Sequence, residues 1–287
     1  MDSLESKDLN QEIHELTNTL KDQFSMIPKL GVEIEFYLRD KVGDLCSDEQ
    51  IEKFRDNLLA KNILLTEENG PQQFEIQINH TSDISKLIDE ISLAKSLLNS
   101  LADSLGLKAI FRPKPFKAAH GSSMHFHLSL HDKTEHNIFS DNTINTNELL
   151  NNIINAILSM LNQYMHFMCG DDAEEYQRFI PNFMAPVNVS WGGNNRTTAI
   201  RVPESTSYNR RIEFRIPSAS CEPQKIIHFL LLATINGIKH PSWPIKRTYG
   251  NASDEQYDEL KKLPYTAHEA KTMRLTHSSW DNKKIID

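Results

Sequence analysis

Four stretches of the chain alternate apolar and polar residues with a period of two. Gly31–Leu38 reads GVEIEFYL, Gln73–Ile78 reads QFEIQI, Met124–Leu130 reads MHFHLSL and Arg211–Ile216 reads RIEFRI. In an extended strand successive side chains point to opposite faces, so each stretch has one solid apolar face and one polar face. The polar faces carry Glu33 and Glu35, then Glu75, then His125 and His127, then Arg211, Glu213 and Arg215. One such strand alone reads as a half-buried surface strand with a salt-bridged outer face. Four strands of one design predict a shared sheet whose polar faces converge on a concave floor.

Between the strands the apolar period changes. Leu9, Ile13, Leu16, Leu20 and Phe24 share a stripe, which predicts an amphipathic helix over residues 1–28 used for core or partner packing. A short helix is predicted over 49–61, and a longer one over Ile84–Leu105, closed by Gly106. Residues 147–168 and Pro223–Lys239 predict two apolar helices, with Met160, Met165 and Met168 read as core. A short strand at Leu107–Phe111 leads into the rigid sequence RPKP. Gly70-Pro71 marks a turn before Gln73 that can hang Glu67 or Glu68 over the floor. Asp254–Leu263 and the final segment are polar and predicted to be peripheral. The pattern has no internal repeat and no low-complexity linker.

The chain has 287 residues, 39% of them hydrophobic, enough to bury a sizeable core in one large domain or one plus a small appendage. Its net charge of −8, with basic residues scattered, argues against nucleic acid as a partner. The first residues have neither the basic start nor the apolar run of a signal peptide. No stretch approaches the roughly 18 apolar residues that a membrane span needs. Cys46, Cys169 and Cys221 are few, odd in number and without metal spacing, and so read as reduced thiols. The expectation is a soluble cytoplasmic protein.

The candidate chemistry lies in the polar faces. So many carboxylates together repel one another and are driven toward protonation. A divalent cation keeps them ionised, and oxygen-rich ligands with an occasional imidazole suit Mg²⁺ or Mn²⁺. His125 and His127 as a zinc pair is a weaker reading, because neither cysteine nor a third clustered histidine accompanies them. The nearby arginines match phosphate or carboxylate oxygens. Metal, carboxylates and arginines together point to phosphoryl chemistry.

These pieces, in this order, resemble the catalytic domain of the glutamine synthetase family. The resemblance rests on GVEIEFYL, ENGPQQFEI, FRPKPF, HGSSMHFHLSL, YQRFIP, APVNVSWGGNNRTTAIRVP and RRIEFRIPSAS, and spans roughly residues 25–240. It implies an α+β fold, a curved and mostly antiparallel sheet flanked by helices, with 1–28 a helical extension and 29–287 the catalytic domain. It also implies an ATP-dependent ligase that phosphorylates the side chain of glutamate and then transfers the acyl group to ammonia or a small amine. By motif, one metal site would be Glu35, Glu68 and Glu75, and the other Glu33, His125 and Glu213. The spacing of ENGPQQFE favours Glu68, with Glu67 the alternative. Nucleotide would lie near His127, Ser129, Arg201 and Arg211. Glutamate would lie near Gly121, Arg178 and Arg215, with Arg196 facing the transferred phosphoryl group.

Three departures accompany the resemblance. Met184, in Asn182-Phe183-Met184-Ala185-Pro186, stands where glutamine synthetases carry a glutamate that helps to deprotonate ammonium. That change favours a larger, less polar amine. His120 replaces the asparagine of an Asn-Gly-Ser motif at the same end of the site. Only about thirty residues precede Glu33, where relatives carry a small β-rich domain that completes a neighbouring subunit's site in a ring. The expected assembly is therefore a homo-oligomer or a complex with a full-length paralogue. The competing expectation is a non-catalytic relative that binds nucleotide or glutamate.

Overall fold

Strand β1 (Ile27–Asp40) anchors an open eight-stranded sheet; the computed structural model describes residues 2–242 and 245–276. The strand order is β2 (Thr66–Glu67), β3 (Gln73–Thr81), β1, β5 (Met124–His131), β8 (Ile212–Phe214), β7 (Ile200–Arg201) and β6 (Trp191–Gly192). The remaining strand, β4 (Leu107–Ile110), also pairs with β1. Every pairing is antiparallel except β6 with β7.

The even-numbered residues of the alternating strands form one side of the core. Val32, Ile34, Phe36, Phe126, Leu128, Ile212 and Phe214 are all buried in a single cluster with the helices. Helix α4 (Glu148–Cys169) packs on α6 (Pro223–Lys239), and α1 (Asp2–Phe24) packs on α6 in turn. Helix α3 (Ile84–Ser104) covers β4, β1 and β3. Helix α2 (Asp48–Leu59) starts at a capping box, with Ser47 and Gln50 each satisfying the other's backbone N–H. Among the described residues no helix is long and apolar enough to cross a membrane.

The structure refines the sequence reading in three places. The first helix ends at Phe24, not at Pro28, because Ser25 turns the chain with φ +55° and Met26 N–H closes on Leu20 C=O at 2.9 Å. Ile27 and Pro28 then pair with His131 and Leu130 as strand. The segment Asp254–Leu263 is mostly exposed, as its polarity suggests, but it is tied to the chain before β6, with Val189 N–H donating to Lys261 C=O and Leu263 N–H to Val187 C=O. The polar floor is also no solvated surface. Every residue of β5 is buried, and Glu213 is 0% exposed. Helices cover the apolar side of the sheet and loops line the polar side, which period-two alternation cannot reveal.

Where α6 crosses α4 the backbones nearly touch. A Cβ added at Gly237 would sit 2.8 Å from Asn152 O and from Ile153 Cα. Replacing a helical glycine by alanine ordinarily gains roughly 0.5–1 kcal/mol. Here backbone cannot give way as a flexible side chain would. Gly237→Ala is expected to destabilise by about 1–3 kcal/mol, read from the urea midpoint; a rise in stability would contradict this packing.

Candidate functional site

The sheet register brings the polar residues together. Glu35 faces Glu75 across β1 and β3, and Glu33 stands between Gln77 of β3 and His125 of β5. Further along β5, His127 faces Glu213, which faces Arg201 of β7. Directly opposed residues on one face lie within contact of one another. Glu68 joins from the β2–β3 turn, where its N–H donates to Gln73 C=O at 2.8 Å. Glu67 leans away and meets Arg55 at 3.2 Å, so the turn delivers Glu68 and not its neighbour to the cluster.

Two groups of donor atoms result, Glu35 with Glu68 and Glu75, and Glu33 with Glu75 and His125. Within each, the atoms lie within 4.8 Å of one another, and both groups border a cavity of about 330 Å³. Glu213, expected in the second group, lies slightly apart. Its Oε1 is 3.8 Å from His125 Nδ1, while its carboxylate accepts from Arg201 Nη1 at 2.7 Å and from Arg215 Nη1.

Burial and charge split these acids. Burial pushes Glu35 and Glu75 up to about 8, helped by Glu68 in the first case and Glu33 in the second. Glu68 is raised by burial as well. Burial works against Glu33 too, but His125 and His127 beside it hold it well below the usual carboxylate range. Glu213 resists a similar penalty because Arg215, the two imidazoles and Arg201 hold it at about 2. His125 is pushed down to about 4 by burial and Arg215, which keeps its imidazole neutral with a lone pair to offer. Oxygen donors with one neutral imidazole are the set a hard divalent cation takes. Held at about 8, Glu35 and Glu75 keep protons at neutral pH, which such a cation would displace.

Arginines form the opposite wall. Arg178 is 2% exposed, lies over the Phe179 ring, and has Nε 3.9 Å from Glu175. Its Nη2 is buried with no hydrogen-bond partner among the described residues. Gly121 allows this approach, since a Cβ there would meet Pro113 O at 2.8 Å and Arg178 Cβ at 3.0 Å. Arg215 donates from Nη2 to Met184 C=O at 3.1 Å, and its Nε is likewise unpartnered. Arg201 is fixed by Asn194, with Nε to Oδ1 at 3.0 Å. Arg196 is exposed and borders both this cavity and a neighbouring one of about 500 Å³.

The other expected nucleotide residues lie outside the cavity lining. His127 has Nε2 3.0 Å from Glu33 Oε1 and accepts from Arg211 Nε on Nδ1 at 3.0 Å. Ser129 is buried, with its hydroxyl 3.0 Å from His131 Nε2. Two residues that were not singled out from the sequence also shape the site. Gln73 Nε2 donates to Gly121 C=O at 2.8 Å and reaches Glu35 Oε2 at 3.4 Å, and Gln77 Nε2 reaches Glu75 Oε1 at 3.3 Å. Both sit on the Glu75 face of β3 at period two, the signal that would have found them. The third wall is apolar, built from Phe183, Met184, Ala185 and Pro186, with Lys114 Nζ 4.3 Å above the Phe183 ring and His120 edge-on to it.

Residues 49–281 match the family model for the glutamine synthetase catalytic domain. The chain belongs to the glutamine synthetase family. Gamma-glutamylputrescine synthetase PuuA of Escherichia coli is 26% identical over 265 residues, covering 82% of this chain and 56% of that protein. Glutamine synthetase of Pyrococcus abyssi is 30% identical over 237 residues, covering 83% and 53%. The chain thus spans about half the length of these relatives. A solved GmaS/ADP complex shares the fold at TM-score 0.80 and 21% identity, covering 96% of this chain and 69% of that one. Glu33 and Glu35 precede the span matched by the glutamine synthetase model, so their place in the site rests on the register of β1 with β3 and β5.

The raised acids make a prediction with a definite sign. A carboxyl held at about 8 when folded but near 4.5 when unfolded costs stability as pH rises between those values. The metal-free protein should therefore lose melting temperature from pH 5 to pH 8, and Mn²⁺ should restore it most at the alkaline end. Glu75→Gln should stabilise the metal-free protein at pH 7.5, on the order of 2 kcal/mol, and abolish most of the Mn²⁺ response. Melting curves with and without Mn²⁺ check both signs.

Proposed function

We propose that the chain joins an amine to the side-chain carboxylate of glutamate at the expense of ATP, through γ-glutamyl phosphate. The observation that carries this is one cavity with an acid floor whose Glu35 and Glu75 are held at about 8, faced by arginines with unpartnered donors. Such a cavity suits two anions that must approach each other. The named activities of the relatives, glutamine synthetase and gamma-glutamylputrescine synthetase, support the same reading.

Two divalent cations, Mg²⁺ or Mn²⁺, would be held by Glu35, Glu68 and Glu75 and by Glu33, His125 and Glu213, with Glu75 adjoining both, and would offset phosphate charge. Arg178 and Arg215 offer Nη2 and Nε donors to the carboxylates of glutamate, with Gly121 giving the substrate room beside Arg178. In this reading Arg196, on the cavity rim, would meet the phosphoryl group, and Arg201, with Arg211, His127 and Ser129 beyond the cavity lining, would serve the nucleotide. Positioning and charge compensation suffice for such a transfer, and no side-chain nucleophile is needed. The Phe183–Pro186 wall offers no carboxylate to the acceptor, which favours an amine with an apolar body over ammonia. A cytoplasmic location fits the free thiols of Cys46, Cys169 and Cys221. Assembly with further copies or a longer paralogue belongs to the same reading, by analogy with the family.

The test is ADP release by the Mg²⁺-loaded protein with and without glutamate, across ammonia and a series of alkylamines. Glutamate-dependent turnover, faster with an alkylamine than with ammonia, is expected. Arg178→Ala should raise KM for glutamate by roughly 10²-fold while nucleotide binding persists. Metal-loaded protein that neither binds ATP nor releases ADP in response to glutamate would sink the proposal.

A further inference from the structure

Away from the acid floor, three segments distant in sequence bring two cysteines and a glutamate together. Cys169 ends α4, Glu175 lies in helix α5 (Ala173–Gln177), and Cys221 closes the turn between β8 and α6. Their exposures are 7%, 2% and 5%, and one ligand atom from each lies within 4.8 Å of the other two. Cys221 Sγ is 3.7 Å from Glu175 Oε2. A thiolate and a carboxylate oxygen bound to one tetrahedral zinc ion, at about 2.3 and 2.0 Å, lie about 3.5 Å apart. The observed separation is close to that edge.

The backbone around this group is fixed on all three sides. Ala219 N–H donates to Ser122 C=O at 3.0 Å, Cys221 N–H to Ser218 C=O at 3.2 Å, and Gly170 N–H to His166 C=O at 2.9 Å. Ser218 Oγ donates to Glu175 Oε1 at 2.6 Å and orients the carboxylate, leaving a fourth position to water. We propose that Cys169, Cys221 and Glu175 form a structural site for a thiophilic divalent cation of the zinc class, separate from the acid floor. Zinc with two thiolates and one carboxylate carries one net negative charge. Arg178, with Nε 3.9 Å from Glu175, stands where it can balance that charge, and Lys95 is a second cation in the neighbourhood.

Zinc binds cysteine as the thiolate, so both thiols lose their protons when the ion enters. Binding leaves the sulfurs' oxidation state unchanged. The sequence hid this site because Cys169 and Cys221 are far apart in the chain. Only the fold closes the gap.

Cobalt(II) tests the proposal independently of catalysis, because thiolate ligands give it a charge-transfer absorption in the near ultraviolet that oxygen ligands do not. The full chain carrying Cys46→Ser, refolded with one equivalent of Co²⁺, should show that absorption. Adding Cys169→Ser or Cys221→Ser should remove it, while Glu68→Gln should keep it although it disrupts the acid floor. Metal analysis of the wild-type protein should find about one zinc per chain that is displaced by a thiol reagent. Folded wild-type protein with no thiolate absorption and no zinc would overturn the site. So would a mass two hydrogens lower with both thiols unreactive after denaturation, which would mean that the pair forms a disulfide instead. Loss of ligase activity alone would bear on the proposed function and not on this site.

Discussion

Carboxylates buried side by side stay ionised only if positive charge is brought to them, and the two ends of this sheet meet that constraint to different degrees. At the β8 end the protein supplies the charge itself. Glu213, wholly buried, lies between Arg201 and Arg215, and its pKa falls to about 2. At the β3 end Arg215 and Arg178 offset the burial of Glu35 only in part, and Glu35 and Glu75 rise to about 8. The floor is therefore more fully compensated on the β8 side than on the β3 side. Packing alone gives no reason to retain Glu35 and Glu75, since apolar residues in their place would be cheaper to bury.

The rest of the architecture holds these charges at fixed separations. The same strands that present Glu33, Glu35, His125 and Glu213 upward bury Val32, Ile34, Phe126 and Phe214 beneath, so each polar residue is fixed by apolar neighbours one position away. Phe214 adjoins Glu213 in sequence and packs against Phe229 of α6 with ring centroids 5.5 Å apart. A shift of α6 would therefore move Glu213. The cations are positioned from loops, with Asn194 holding Arg201 and the Met184 carbonyl holding Arg215. A rigid sheet carries the acids, and loops carry the groups that meet the substrate.

What could be read from the chain follows from what is periodic. Period two located the four principal strands and put Glu33, Glu35, Glu75, His125 and Glu213 on shared faces, and the apolar helix Pro223–Lys239 has the bounds its sequence suggests. Periodicity carries no information about partners across the sheet. The approach of Glu75 to both donor groups, the withdrawal of Glu213 to its arginines, and the burial of the polar face all depend on pairing and loop cover. Motif spacing favours Glu68 over Glu67, and in the structure Glu68 has an oxygen near Glu35 and Glu75 while Glu67 pairs with Arg55. Ser25, turning with positive φ, is a residue type that gave no sign of a helix end.

Arg178 shows how these levels combine. A buried guanidinium needs an anion, and the one nearest in sequence, Glu175, is already engaged through Oε1 by the hydroxyls of Ser218 and Ser220. At 3.9 Å from Arg178 Nε it is near enough to fix the charge in place and too far to satisfy a donor. Leaving a buried donor unpaired costs roughly 1–3 kcal/mol. The protein bears that cost at Nη2 beside a cavity wall, where an anionic ligand can recover it. A residue kept only for stability would have been paired internally. The unpaired donor is therefore the local argument that this wall binds an anion, whatever the acceptor at the apolar wall proves to be.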